Sequence, residues 1–298
     1  MHSEIVSLKE QLAIAYVRNK KPVAFIDESY QSVHEGLPFY LVSAVMIEPR
    51  MLDAARETCL EIAEDYWWHT TDAFQSRKLD RIYEFLSYLA LTEINNVVAI
   101  QSLIHNNNLE HARRECLIQA VKAAEDFGTG LVVLERRQSQ KSQRSDTSLF
   151  AKASQDDQIG KHLRFFQVSP SVEQLLWLPD VLSWSIRRLL ALGEQSWVEI
   201  TRNNLGLINV SGEFLDLNSF CGELPPINAK RPQRAVAKGC GPAKPVGSSN
   251  EGISRSSGSI MPQQSESLQH FPQSFGQLIT PPIDPVVLST WLKSRFPK

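Results

Sequence analysis

Apolar positions along the chain follow two rhythms. Over residues 23–29, 39–47, 96–104, 130–135 and 163–168 they form short runs rich in β-branched and aromatic side chains, bounded by Pro, Gly or charged residues. Such runs predict buried strands. Over residues 3–18, 51–66, 77–91, 109–127 and 175–192 apolar residues return every three or four positions, the spacing of one helix face, and residues 146–157 repeat that pattern more weakly. Ser3 is the expected N-cap of the first helix. In the last long helix Leu178, Leu182, Ile186 and Leu189 make the buried stripe, while Leu176, Asp180, Ser183 and Arg187 lie on another face. A proline is tolerated in a first turn but disrupts a helix interior, so this helix is expected to begin near Pro179 with Asp180 in its first turn.

The first two strand runs, joined by the turn-rich residues 30–38, read as a hairpin. In chain order there are three strands, a helix, a strand, a helix, a strand and a helix, with two further helices inserted after the second strand. That is the order of an RNase H-like domain, an α/β fold in which a mixed sheet is flanked by helices.

Composition changes sharply towards the C-terminus. Eleven of the sixteen prolines follow residue 224, so the globular domain is expected to occupy residues 1–222. Residues 223–298, rich in Pro, Ser and Gly with little apolar periodicity, read as a disordered tail. Near its end Asp284 and Pro285 would start a short helix over 285–296 carrying Val286, Val287, Trp291 and Leu292. After residue 228 nine basic residues face three acidic ones, a surplus of +6, which leaves −8 on the first 228 residues from a chain total of −2. An acidic body argues against a strong general phosphate-binding surface but not against an acidic site neutralised by metal ions, and the basic tail suits an anionic partner. The four cysteines show no metal-ligand or disulfide spacing. The N-terminus, with Glu4, Lys9 and Glu10, is not a signal peptide, and no apolar run approaches the roughly 18 residues of a membrane span, so a cytoplasmic location is expected.

Candidate chemistry lies at the ends of these elements. Asp27 and Glu28 close the first strand run, Glu135 closes the fourth, and Asp180 opens the last long helix. Side chains alternate along a strand, so Asp27 and Glu28 cannot both point the same way unless the strand has already ended. Each acid taken singly has a structural role to fill: Asp27 and Glu28 as caps of the turn after them, Glu135 as partner of Arg136, Arg137, Lys141 and Arg144, Asp180 as a helix-dipole acid. Taken jointly, three carboxylates meeting at strand ends repel one another unless a cation sits between them. His69, between the two inserted helices, reads as interfacial, with Thr71 or Asp72 capping the helix that follows. Trp177 and Trp184 read as core packing before they read as a base-stacking platform.

The run Phe25-Ile26-Asp27-Glu28-Ser29, the strand beginning Phe39-Tyr40-Leu41-Val42, the His69 segment, Val133-Leu134-Glu135-Arg136-Arg137 and Leu175-Leu176-Trp177-Leu178-Pro179-Asp180 together resemble the bacterial "domain of unknown function 3800" family over about residues 20–192. Pro179 departs from the small residue, often Ala, that usually precedes the helix aspartate. The resemblance implies an RNase H-like fold and a nuclease-like site in which Asp27, Glu135 and Asp180 hold Mg²⁺ or Mn²⁺ and Glu28 is a fourth ligand. On that footing His69 is a proton shuttle, Arg137 and Lys141 steady phosphate, and the expected partner is nucleic acid. The alternative expectation is a non-catalytic module on the same fold that meets a protein partner through the tail.

Overall fold

The computed structural model describes residues 7–217, apart from 33, 34, 36, 93, 103 and 105–107. The expected tail and its 285–296 helix lie outside the described residues. The protein is a mixed α/β domain of the RNase H-like type. Helix α1 (Leu8–Arg18) precedes strands β1 (Val23–Gln31) and β2 (Phe39–Ile47). Helices α2 (Leu52–Ala63), α3 (Thr70–Gln75) and α4 (Leu79–Leu91) lead to β3 (Asn95–Ser102). Then follow α5 (Leu109–Asp126), β4 (Leu131–Glu135), α6 (Gln140–Gln155), β5 (Arg164–Val168), α7 (Trp177–Leu192), α8 (Ser196–Thr201) and β6 (Leu205–Asn209).

The sheet order is β5-β4-β1-β2-β3-β6. β1 runs antiparallel to β2 in the expected hairpin, from Val23↔Ile47 to Gln31↔Phe39, and β2 runs antiparallel to β3. β4 is parallel to β1, and β5 to β4. A central antiparallel hairpin extended by parallel strands through helical crossovers is what makes the topology RNase H-like.

Several expectations need correction. The first helix is capped by Ser7, not by Ser3, which lies outside the described residues. Ser7 Oγ accepts from the Glu10 N–H at 3.3 Å and Glu10 Oε2 from the Ser7 N–H at 2.7 Å, a reciprocal box that satisfies two otherwise orphaned donors. The insertion after β2 contains three helices, because α3 forms separately ahead of α4. A sixth strand, β6, pairs parallel with β3 from Asn96↔Leu205 to Ile100↔Asn209. Helix α7 starts two residues before Pro179, after a 3₁₀ turn (Gln174–Leu176); the proline still falls in the first turn, where its missing N–H removes no helical bond.

Two apolar cores lie on the two sheet faces. Val23 and Phe25 of β1 and Leu131 and Val133 of β4 pack with α1, α2, α4 and α7, whereas Ala24, Ile26, Val132 and Leu134 pack with α5 and α6. All nine residues of β2 are buried, as a strand covered by helices on both faces must be. Because β1 runs on through the acids, Asp27 continues the α7 face and Glu28 the α5 face. Among the described residues no helix is long and apolar enough to cross a membrane.

Candidate functional site

The parallel register of β1 and β4 ends at Ile26↔Leu134. One step further along both strands stand Asp27 and Glu135, side by side on the α7 face. Helix α7 lies across β1 and β2 close to the sheet, because small residues meet there: Ser183 Oγ donates to Ser43 Oγ at 2.9 Å, and Ser43 is the β2 partner of Asp27. Asp180, one helical turn before Ser183, is thereby set over the end of β1. Three acids distant in sequence, on two parallel strands and a crossing helix, meet at one point.

That point runs from the core to the surface. Asp27 is buried, Asp180 half-buried and Glu135 exposed. Burial holds the Asp27 carboxyl well above the usual carboxylate range, and the charges of Asp180 and Glu135 push it further. Glu135, exposed as a residue, is raised too, by partial desolvation of its carboxyl within the cluster and by the charge of Asp180, while a hydrogen bond with Asp27 and the proximity of His69 oppose it. Asp180 is raised by burial against the opposing pull of His69 and Thr70. Such a cluster favours holding protons or a cation over standing fully ionised.

The side chain of Asp180 already has an employment. Its Oδ2 accepts from the Thr70 N–H and from Thr70 Oγ1, both at 2.8 Å, and Trp68 Nε1 donates to Thr70 Oγ1 at 3.0 Å. Thr70 is the first residue of α3, whose N-cap is His69, and His69 makes no side-chain cap bond. The carboxylate of α7 therefore caps α3 from another element, the task expected of Thr71 or Asp72. This bond brings the His69 segment to the site. The imidazole is about half exposed at the rim, with Nδ1 3.4 Å from Asp72 Oδ2.

Glu28 is not brought to this cluster. On the opposite face it meets Arg113, whose Nε donates to Glu28 Oε2 at 2.7 Å while its terminal nitrogens reach Asp146 at 2.7 and 3.1 Å. Arg113 and Asp146 are both buried. Arg137 belongs to the same network, 3.4 Å from Glu110 and 3.7 Å from Asp146, whereas Lys141 lies exposed in the first turn of α6. Trp177 is fully buried and Trp184 nearly so, as core residues; the exposed aromatics beside the His69 segment are Tyr66 and Trp67. Their only sequence signal is the run Tyr66-Trp67-Trp68, from which Trp68 alone turns into the core.

In kind, Asp27, Glu135 and Asp180 fit a hard divalent cation, being oxygen donors only. In spacing they do not yet do so: among the described residues no three His, Cys, Asp or Glu side chains stand at ligand distances. One of the three carboxylates, that of Asp180, is engaged by Thr70. No family model matches the chain, and no curated protein matches it. Among solved structures, a mutant of Bst-RNase HIII superposes with a TM-score of 0.36 at 11% identity, covering 60% of this chain and 54% of that one. The chain thus spans about half the length of that protein. The fold assignment rests on strand order and direction.

Proposed function

We propose that the protein is a divalent-metal-dependent phosphodiesterase acting on nucleic acid, with Asp27, Glu135 and Asp180 as the groups that hold Mg²⁺ or Mn²⁺. The supporting observation is the convergence of these three carboxylates, each kept above its usual range, at the open end of the parallel β1–β4 pair. A cation bound there would acidify a water and stabilise the leaving oxygen of a phosphodiester. Asp27, fixed on a buried central strand, anchors the site; Glu135, on the exposed side, faces the incoming substrate. Asp180 joins by exchanging Thr70 for the ion. His69, exposed at the rim near Glu135 and Asp180, is placed to carry a proton between the site and solvent. Of the two expected phosphate contacts, Lys141 makes no ion pair among the described residues, while Arg137 is held by Glu110 and Asp146.

Isothermal titration of Mn²⁺ into the full chain, beside an Asp27→Asn, Asp180→Asn variant with an intact thermal transition, tests the site. Labelled DNA and RNA are then assayed for cleavage with both proteins. Saturable binding and metal-dependent cleavage, both lost in the variant, are expected. Cleavage that survives the double substitution, or no binding and no cleavage by the unmodified chain, overturns the proposal. The structural use of Asp180 as a helix cap favours one alternative, a non-catalytic protein-interaction domain on this fold. It predicts a protein partner retained by the double variant.

A further inference from the structure

A second feature lies where β4 leaves the sheet. Among the described residues strand β5 pairs only with β4, so its other side is a free edge. Along that edge a groove of about 830 Å³ runs between α6 on one side and Leu8 and Gln11 of α1 on the other. Its apolar lining comes from both sides of the edge strand: Phe165 stacks on the buried Phe150 at 4.1 Å on the α6 face, Phe166 lies on the other face, and only Phe165 and Phe166 are partly open to solvent. Its α6 wall is polar, since Gln140, Gln143, Arg144 and Thr147 fall on one face of that helix.

Charge sets this groove apart. The first 228 residues carry a net −8, yet no Asp or Glu among the described residues lines it. Arg136 and Arg144 do line it, both exposed, and among the described residues neither guanidinium makes an ion pair. The neighbouring cations are spent: Arg137 on Glu110 and Asp146, Arg113 on Glu28 and Asp146. Asp146, the one acid within α6, is turned away from the groove and buried against Arg113. Arg136 also follows Glu135 directly at the end of β4, so the groove and the carboxylate cluster are reached from the same strand end.

We infer that this groove binds a single strand of nucleic acid, with Arg136 and Arg144 on its phosphates and the partly exposed Phe165 and Phe166 against its bases, leading the strand round the β5 edge towards Glu135. Its part as a substrate track rests on the proposed phosphodiesterase site; its capacity to bind does not. Unpaired guanidiniums beside partly exposed aromatic rings are the combination that holds single strands without reading their sequence. A groove of this size takes a short extended segment. A duplex would have to lie across its mouth, out of reach of these rings.

The test is fluorescence anisotropy of a labelled twelve-nucleotide oligothymidylate with the full chain in EDTA, over a series of salt concentrations. Arg136→Ala with Arg144→Ala is expected to weaken binding by about tenfold or more, and to lower the slope of log affinity against log salt by about 1.4, two phosphates at about 0.7 each on a single strand. Lys122→Ala with Lys152→Ala removes equal charge outside the groove lining and is expected to change affinity less than about twofold, because non-specific attraction is spread over the surface. Equal losses in the two cation pairs, no binding by the unmodified chain, or equal competition by an oligoglutamate peptide or a duplex would each overturn the inference. If the groove variant loses binding while cleavage is never found, the groove stands and the catalytic proposal falls. If the groove variant binds unchanged while the carboxylate variant loses cleavage, the groove falls and the catalytic proposal stands.

Discussion

Replacing Arg113 by Met keeps a long apolar stem in the α5 face of the core and removes the charge that Glu28 and Asp146 share. Three charge-assisted bonds disappear: one to Glu28 at 2.7 Å and two to Asp146 at 2.7 and 3.1 Å. The two acids then differ in what they can do. The Glu28 side chain is 28% exposed and can recover water; that of Asp146 is 4% exposed and cannot. Breaking a buried pair by removing one partner costs about 3–5 kcal/mol, chiefly through the charge left behind, and Asp146 sets the cost here at about 4 kcal/mol. With a urea m-value of about 2.5 kcal/mol/M, the unfolding midpoint should fall by about 1.6 M. Adding Asp146→Asn to the same chain neutralises the stranded acid and should return about half of the loss. A fall below about 0.4 M, or a double variant weaker than the single one by the full cost of Asp146→Asn alone, would refute the idea that a stranded Asp146 dominates. The same network bears on function. Glu28→Gln should leave the Mn²⁺ isotherm unchanged, and a lost isotherm would return Glu28 to the ligand set.

Other outcomes follow from the site. Asp27 is held above its unfolded value of about 3.9, so its contribution to stability is full below that pH and is lost as pH rises through the folded value. Asp27→Asn should therefore raise Tm in EDTA at pH 8 and do so progressively less towards pH 4; a gain independent of pH would contradict a raised Asp27. Thr70→Ala deletes one of two donors to Asp180 and the acceptor of Trp68, which should lower stability by about 1–2 kcal/mol. The released carboxylate should tighten Mn²⁺ binding several-fold by titration calorimetry, and weaker binding would show that Thr70 positions Asp180 for the ion. Ser183→Leu inserts bulk where Ser183 and Ser43 are 1% and 0% exposed, and should cost about 1–3 kcal/mol in denaturant unfolding. By lifting α7 it should also abolish any Mn²⁺ isotherm.

The elements that could be read from sequence were those whose partners are implied by their own composition. The apolar runs of β1 to β5 and the stripe of α7 declare burial, and burial in that order leaves few topologies. The acids at 27, 135 and 180 were visible for the same reason, since two close an apolar strand run and the third stands in the first turn of an apolar helix. What could not be read depends on distant residues. By composition the first strand run closes at the acids Asp27 and Glu28, because charged residues rarely continue a buried strand; β1 continues to Gln31 because β2 pairs with it and Arg113 meets Glu28. β6 is short and half-buried, and only the edge of β3 makes it a strand. Local capping patterns point to Thr71 or Asp72, whereas α3 takes its cap from a residue of α7. Arg136 and Arg144 look like two more members of a solvated cluster until the acids nearby are seen to be occupied by other cations.

The meeting of residues from β1, β4 and α7 also bears on how the molecule folds. The β1–β2 hairpin joins neighbours in sequence, whereas the β1–β4 pairing and the docking of α7 on β1 and β2 each close a long stretch of chain. Until then Asp27, Glu135 and Asp180 are far apart and hydrated, and their repulsion is absent from the early species. It is felt only once β1, β4 and α7 have all come together. The site therefore loads the native basin and leaves the climb to the barrier nearly untouched. Relief of that load, by neutralising an acid or by a bound cation, acts mainly as a brake on unfolding and hardly as a spur to folding. An occupied site would lengthen the lifetime of the folded chain more than it would hasten its formation.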